Sequence, residues 1–154
     1  MEQKTKIIAE EGKQELMITR EFELPLELLF KAYQEPELVE QWMGTKVLKL
    51  ENKKHGSYSF ETSHNGEVVF RANGAIHEFI PNQKIIRTFE MENAAIGVQL
   101  EFLEFEKLSD NTSKLTMQVI YRSVEHRAMQ LKMPFKYGLN MAHNKLQEIL
   151  SNLK

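Results

Sequence analysis

The residue pattern predicts an α+β fold. It is a curved antiparallel sheet of about six to seven strands wrapped around one long C-terminal helix, with two short helices after the first strand. Three observations predict it. Apolar residues recur at three- and four-residue steps through Val124, Ala128, Leu131, Phe135, Leu139, Ala142, Leu146, Ile149 and Leu153, the spacing of one helical face. Between Lys46 and Arg122 the chain alternates with period two and is broken by short turns, Asn65 followed by Gly66 being the clearest. Two helical windows, each opened by a proline, stand between the first strand and that run. A strand meander beside one amphipathic helix is an α+β architecture.

Taken in order, Thr5 to Glu10 is a short extended segment, and Glu11-Gly12-Lys13 turns the chain. Leu16, Ile18, Phe22 and Leu24 then alternate with polar neighbours, so this is a strand with one buried face, although Arg20 stands in the apolar register. Pro25 opens a helix over Leu26 to Gln34, since proline suits a first helical turn. Pro36 starts a second helix, carrying Leu38, Val39 and Trp42, which Gly44 ends. The strands that follow are Lys46 to Leu50, Ser57 to Thr62, Val68 to Ile80, Ile85 to Met91, Val98 to Lys107 and Lys114 to Arg122. Turns at Asn65-Gly66, Pro81-Asn82, Asn93 to Gly97 and Ser109-Asp110-Asn111 join them. Ser123 is the expected N-cap of the long helix. That helix would be about 45 Å long at about 1.5 Å per residue. Pro134 lies inside it, and proline removes one backbone bond there, so a bend near Leu131 is expected.

Composition narrows the functional classes. The chain has 154 residues, 42% hydrophobic and 27% charged, with a net charge of −2, which suits one globular domain over 1–154. Lys and Arg are scattered, so no basic nucleic-acid footprint is visible. There is no apolar run of membrane-spanning length. The start Met1-Glu2-Gln3-Lys4 is polar and no secretion signal is read there; a cytoplasmic protein is the expectation. With no cysteine, thiolate nucleophiles, disulfides and Cys-based zinc sites are out.

Catalytic motifs are weak. Asp110 is the only aspartate and sits in a turn, which argues against a Ser-His-Asp triad. His55, His64, His77, His126 and His143 show no ligand spacing, although His64 and His77 could approach across a hairpin; no metal is expected. His77 and Glu78, as strand neighbours, point to opposite faces. The glutamates mostly alternate outward, as Glu101 does, while Glu104 and Glu106 follow Phe102 in the inward register. The glycines are isolated, so no phosphate loop and no nucleotide cofactor is implied.

An apolar interior remains. Tyr58 and Phe60, Val68 and Phe70, Phe89 and Met91, Leu100 and Phe102, and Met117, Val119 and Tyr121 take the inward register of the strands. A second helical row, Met129, Met133, Tyr137 and Met141, adjoins the first, so the helix needs cover on more than one side. Methionine and aromatic linings repack around varied partners, and pockets are apolar with a few placed polar groups. The candidate ligand-binding set is therefore Trp42, Phe60, Phe70, His77, Arg87, Phe89, Phe102, Met117, Tyr121, Met129, Met133 and Tyr137, with Arg71 as a further polar candidate.

Several segments carry a family resemblance: Ile18-Thr19-Arg20-Glu21-Phe22 with Pro25, Leu29-Phe30-Lys31-Ala32-Tyr33, Pro36-Glu37-Leu38-Val39, and Gln41-Trp42-Met43-Gly44. His77-Glu78, Pro81, Ile85-Ile86-Arg87-Thr88-Phe89-Glu90 and Ser123-Val124-Glu125-His126-Arg127 continue it, with Gly138. As an ordered set they resemble the family of proteins similar to the activator of the ninety-kilodalton heat-shock protein's ATPase, within the START-like, helix-grip superfamily. Thr45 departs from the proline that many relatives carry there. The resemblance implies a curved sheet gripping the helix with a cavity between them, and it leaves activity open. Three functions follow as expectations. The first is non-catalytic binding of a small hydrophobic ligand or lipid. The second is an enzyme of the polyketide cyclase or hydrolase type. The third is a stress-related chaperone regulator acting through its surface. A homodimer is an additional expectation.

Overall fold

In the computed structural model, residues 4–92 and 94–154 are described; the polar start at Met1 to Gln3 and the first residue of the turn expected at Asn93 lie outside them. Eight antiparallel strands form one sheet in the order β1-β2-β8-β7-β6-β5-β4-β3. They are β1 (Lys6–Ile8), β2 (Glu15–Phe22), β3 (Lys46–Leu50), β4 (Ser57–His64), β5 (Glu67–Ile80), β6 (Lys84–Met91), β7 (Val98–Lys107) and β8 (Ser113–Ile120). The count exceeds the expected six to seven. The three-residue β1 pairs with β2, Ile7 opposite Ile18.

Between β2 and β3 lie α1 (Leu26–Gln34) and α2 (Pro36–Met43). Pro25 is the N-cap of α1 rather than its first helical residue, and its carbonyl accepts from the amides of Leu28 and Leu29. Gly44 ends α2 at φ 64°, the left-handed conformation that glycine adopts at little cost.

The expected single C-terminal helix is two: α3 (Val124–Lys132) and α4 (Phe135–Ser151). Met133 is extended at ψ 162°, as the residue before a proline prefers. Pro134 has no amide to donate. The interruption is therefore complete and lies two residues beyond the expected bend. Ser123 caps α3, its Oγ accepting from the His126 amide at 3.1 Å.

Most of the main apolar row of α4 packs as expected: Leu146 is buried in a core with Leu16, Phe22, Phe30 and Leu115, and Phe135, Leu139 and Ile149 pack against it; at the C-terminal end Leu150, outside the row, is buried instead of Leu153, which is exposed. The second row does not: Met129, Met133 and Met141 are exposed and Tyr137 is 63% exposed. Asn140 and His143 occupy the buried face in its place.

The register of β7 is also opposite to the expected one. Gln99, Glu101, Leu103 and Phe105 are buried on the concave face, whereas Glu104 and Glu106 are exposed. Period two could not choose, because Leu100 and Phe102 on one side compete with Leu103 and Phe105 on the other. Phe30 and Tyr33 of α1 settle it, stacking on Phe105 with centroids 4.9 and 5.4 Å away. A second shift lies in β5, where a bulge at Thr62/Ser63 of the β4–β5 pairing puts Val68 among the exposed residues.

Candidate functional site

The concave face can be read row by row from the strand pairing. Arg87 of β6 stands opposite Glu101 of β7, and Glu101 opposite Val119 of β8. One row along, Phe89 stands opposite Gln99, and continuing the β7–β8 ladder from Leu100↔Ile120 brings Tyr121 to the same level. Tyr58 and Phe60 approach from β4, opposite Gly74 and Ala72.

An ion pair sits in this apolar surface. Arg87 Nε donates to Glu101 Oε1 at 2.9 Å, with the side chains only 12% and 6% exposed. Gln99 Nε2 donates to the other carboxylate oxygen at 2.9 Å. The Tyr58 ring lies under the guanidinium, its centroid 5.2 Å from Cζ. Tyr58 Oη donates to the Thr88 carbonyl at 2.6 Å, crossing over Gly74. There a Cβ would come within 2.1 Å of that carbonyl oxygen and 2.6 Å of the Tyr58 ring. Burial opposes the charge of Arg87, but the charge and hydrogen bond of the Glu101 carboxylate help outweigh it, and its pKa is held above the usual arginine value. Burial pushes the phenols of Tyr33, Tyr58 and Tyr121 upward, so all three stay protonated at neutral pH. Tyr121 is 2% exposed, and its hydroxyl has no hydrogen-bond partner among the described residues.

The structure brings Phe60, Arg87, Phe89, Met117 and Tyr121 to this face. Phe70 is half-buried on it, opposite Thr62. Trp42 is committed to α1, donating from Nε1 to the Ala32 carbonyl at 2.7 Å and packing on Tyr33. Phe102 points to the other side of the sheet. Met129 of α3, Met133 in the break between the helices and Tyr137 of α4 are exposed. Arg71 is exposed and paired with Glu61 at 3.0 Å. His77 is exposed at a β5 bulge beside His55, not His64, with ring centroids 6.4 Å apart. Glu101, expected to face outward, and Gln99 are the candidate-site residues that the pattern missed. The signal for them was parity with Leu103 and Phe105.

Among the described residues no group of three or more His, Asp or Glu side chains is placed to hold a metal ion, and no helix is long and apolar enough to cross a membrane. A second buried polar cluster underlies α4. Arg20 donates to Thr5 Oγ1 at 3.0 Å and Asn144 Oδ1 at 2.9 Å, and His143 Nδ1 lies 2.8 Å from Thr5 Oγ1. Burial, then the Arg20 charge, lowers the His143 pKa to about 3, so the ring is neutral. Two surface clefts, of about 490 and 530 Å3, open elsewhere, around Thr19 to Glu23 and around Gly44 to Lys46.

A curved antiparallel sheet closed by a C-terminal helix is a START-like fold of the helix-grip type. The solved structures it resembles include the Mycobacterium smegmatis protein Ms6760, 20% identical, with 95% of this chain and 96% of that one covered at a TM-score of 0.83. A Rhodobacter sphaeroides protein is 21% identical over 96% of this chain and 99% of its own, at a TM-score of 0.84. One from Arthrobacter aurescens is 16% identical over 96% and 91%, also at 0.84. At these identities the likeness establishes the fold. No functionally curated protein matches the sequence. Residues 23–151 match the model of the family described as activator of Hsp90 ATPase homolog 1-like protein; the chain belongs to that family.

Proposed function

We propose that this protein binds a small hydrophobic molecule between the concave face of β4–β8 and the helices, without catalysing its conversion. The observation that carries this reading is the Arg87–Glu101 pair. A desolvated ion pair adds little net stability compared with an apolar pair of similar size, and perturbed charges inside an apolar surface favour a functional site. Phe60, Phe89 and Met117 supply the apolar contacts, and Arg87 and Tyr121 the polar ones. The cyclase or hydrolase alternative draws less support. Arg87 stays a cation at every ordinary pH and so is not poised to exchange a proton, and Glu101 is held by Arg87 and Gln99.

The test is a panel of apolar and lipid-like molecules scored by thermal shift and native mass spectrometry. A ligand raises the unfolding midpoint by mass action, and the shift shrinks in Phe89→Ala. A panel that moves the midpoint nowhere and yields only the bare mass refutes the proposal.

A second reading, regulation of a chaperone through the surface, rests on the family description and on the exposed row Met129, Met133, Tyr137 and Met141. A pull-down with an Hsp90 chaperone that captures this chain but not Tyr137→Glu would support it; no capture of either would remove it.

A further inference from the structure

We propose that the polar end of the ligand is an uncharged hydrogen-bond acceptor, such as a ketone or ester carbonyl, and not a carboxylate; this rests on the ligand-binding reading above. The donor and acceptor inventory of the concave face decides the chemistry. Glu101 is the acceptor there, and each of its oxygens already holds one donor, Arg87 Nε on one and Gln99 Nε2 on the other, out of about four acceptor sites on a carboxylate. A donor on the ligand would have to share that carboxylate with two donors already bound. Donors, by contrast, are in surplus. A guanidinium has five N–H groups, and among the described residues Arg87 makes its one hydrogen bond through Nε. The Tyr121 hydroxyl, one row away on the same face, is buried without a partner. A buried phenol normally finds one, and a ligand acceptor would supply it.

Charge then separates a carbonyl from a carboxylate. Glu101 already balances Arg87 across 2.9 Å. A carboxylate ligand would leave two anions and one cation in a desolvated space, and an uncompensated buried charge is costly. A carbonyl takes up the spare donors and adds no charge.

The test compares methyl nonyl ketone with decanoic acid, which have equal numbers of heavy atoms, by isothermal titration at neutral pH. The ketone is expected to bind about tenfold tighter to the wild-type chain, the scale of one well-made hydrogen bond and an avoided like charge. Tyr121→Phe is expected to weaken the ketone about fivefold and to leave the unfolding midpoint unchanged or higher, because it deletes a hydroxyl with no partner. Glu101→Gln is expected to reverse the preference toward the acid. If that variant does not fold, the wild-type comparison alone still decides. Tighter binding of the acid to wild type overturns this inference and leaves the ligand-binding reading standing. Failure of both probes to bind overturns both. Ketone affinity unchanged in Tyr121→Phe overturns Tyr121 as the receiving group.

Discussion

Glu101→Leu is the most informative single change for the energetics of the concave face. At 2.9 Å and an effective dielectric constant of about 20, the attraction between the two charges is about 6 kcal/mol. Desolvation of both ions offsets much of it, and Gln99 and Tyr58 supply part of the remainder. Removing Glu101 alone leaves the Arg87 guanidinium buried without its anion. Breaking one side of such a pair costs about 3–5 kcal/mol. The 12% exposure of Arg87 lets solvent relieve some of this, which places the expected loss near about 3 kcal/mol. With a urea slope of about 2 kcal/mol/M, the unfolding midpoint falls by about 1.5 M. Arg87→Met costs a similar amount for the converse reason. The double variant Arg87→Met/Glu101→Leu recovers most of it and ends within about 1 kcal/mol of wild type, because an apolar pair has no desolvation to offset. Equilibrium urea denaturation of all four chains closes the cycle. Single variants that each lose under about 1 kcal/mol, with additive behaviour in the double, would mean that water reaches the pair freely.

Three further outcomes follow from other parts of the fold. The native chain holds His143 neutral down to about pH 3, whereas the unfolded chain takes up its proton near 6.5; stability present above that value is lost as pH falls, by about 2 kcal/mol between pH 7 and pH 5. Denaturation at the two pH values should show this difference in wild type and its absence in His143→Gln. Gly74→Ala forces a methyl against the Thr88 carbonyl oxygen and the Tyr58 ring and should destabilise by about 1–3 kcal/mol, with the midpoint in urea as readout. Met129→Ser and Tyr137→Ser should change stability by less than about 0.5 kcal/mol, as exposed positions do; a loss of core size would return that row to the interior.

Much of this architecture was legible in the residues. Helix α1 and strand β3 have the expected limits because proline, glycine and short polar turns punctuate them. The buried face of β2 was readable through Leu16, Ile18 and Phe22 even with Arg20 among them. Pro134 announced the break between α3 and α4. The candidate site was harder, for one physical reason. Strand periodicity says which residues share a face and not which face is concave. In β7 both faces carry large apolar residues, so the choice rested on helix α1 stacking on Phe105, a contact distant in sequence. Choosing Phe102 hid Glu101. The exposed methionine row misled similarly: four-residue spacing marks a common helix face, but two adjoining apolar rows say nothing about which one meets the sheet. Asn140 and His143 took the buried positions where Thr5 and Arg20 bond to Asn140 Oδ1 and Thr5 to His143 Nδ1.

The central claim, that a ligand lies against the concave face, is tested most directly by NMR. Backbone amide and methionine methyl resonances would be followed during titration with a molecule that shifts the thermal midpoint. The account predicts that perturbations gather on Phe60, Arg87, Phe89, Gln99, Met117 and Tyr121. Perturbations confined to Met129, Met133, Tyr137 and Met141, or to the outer face around Phe102, would contradict it.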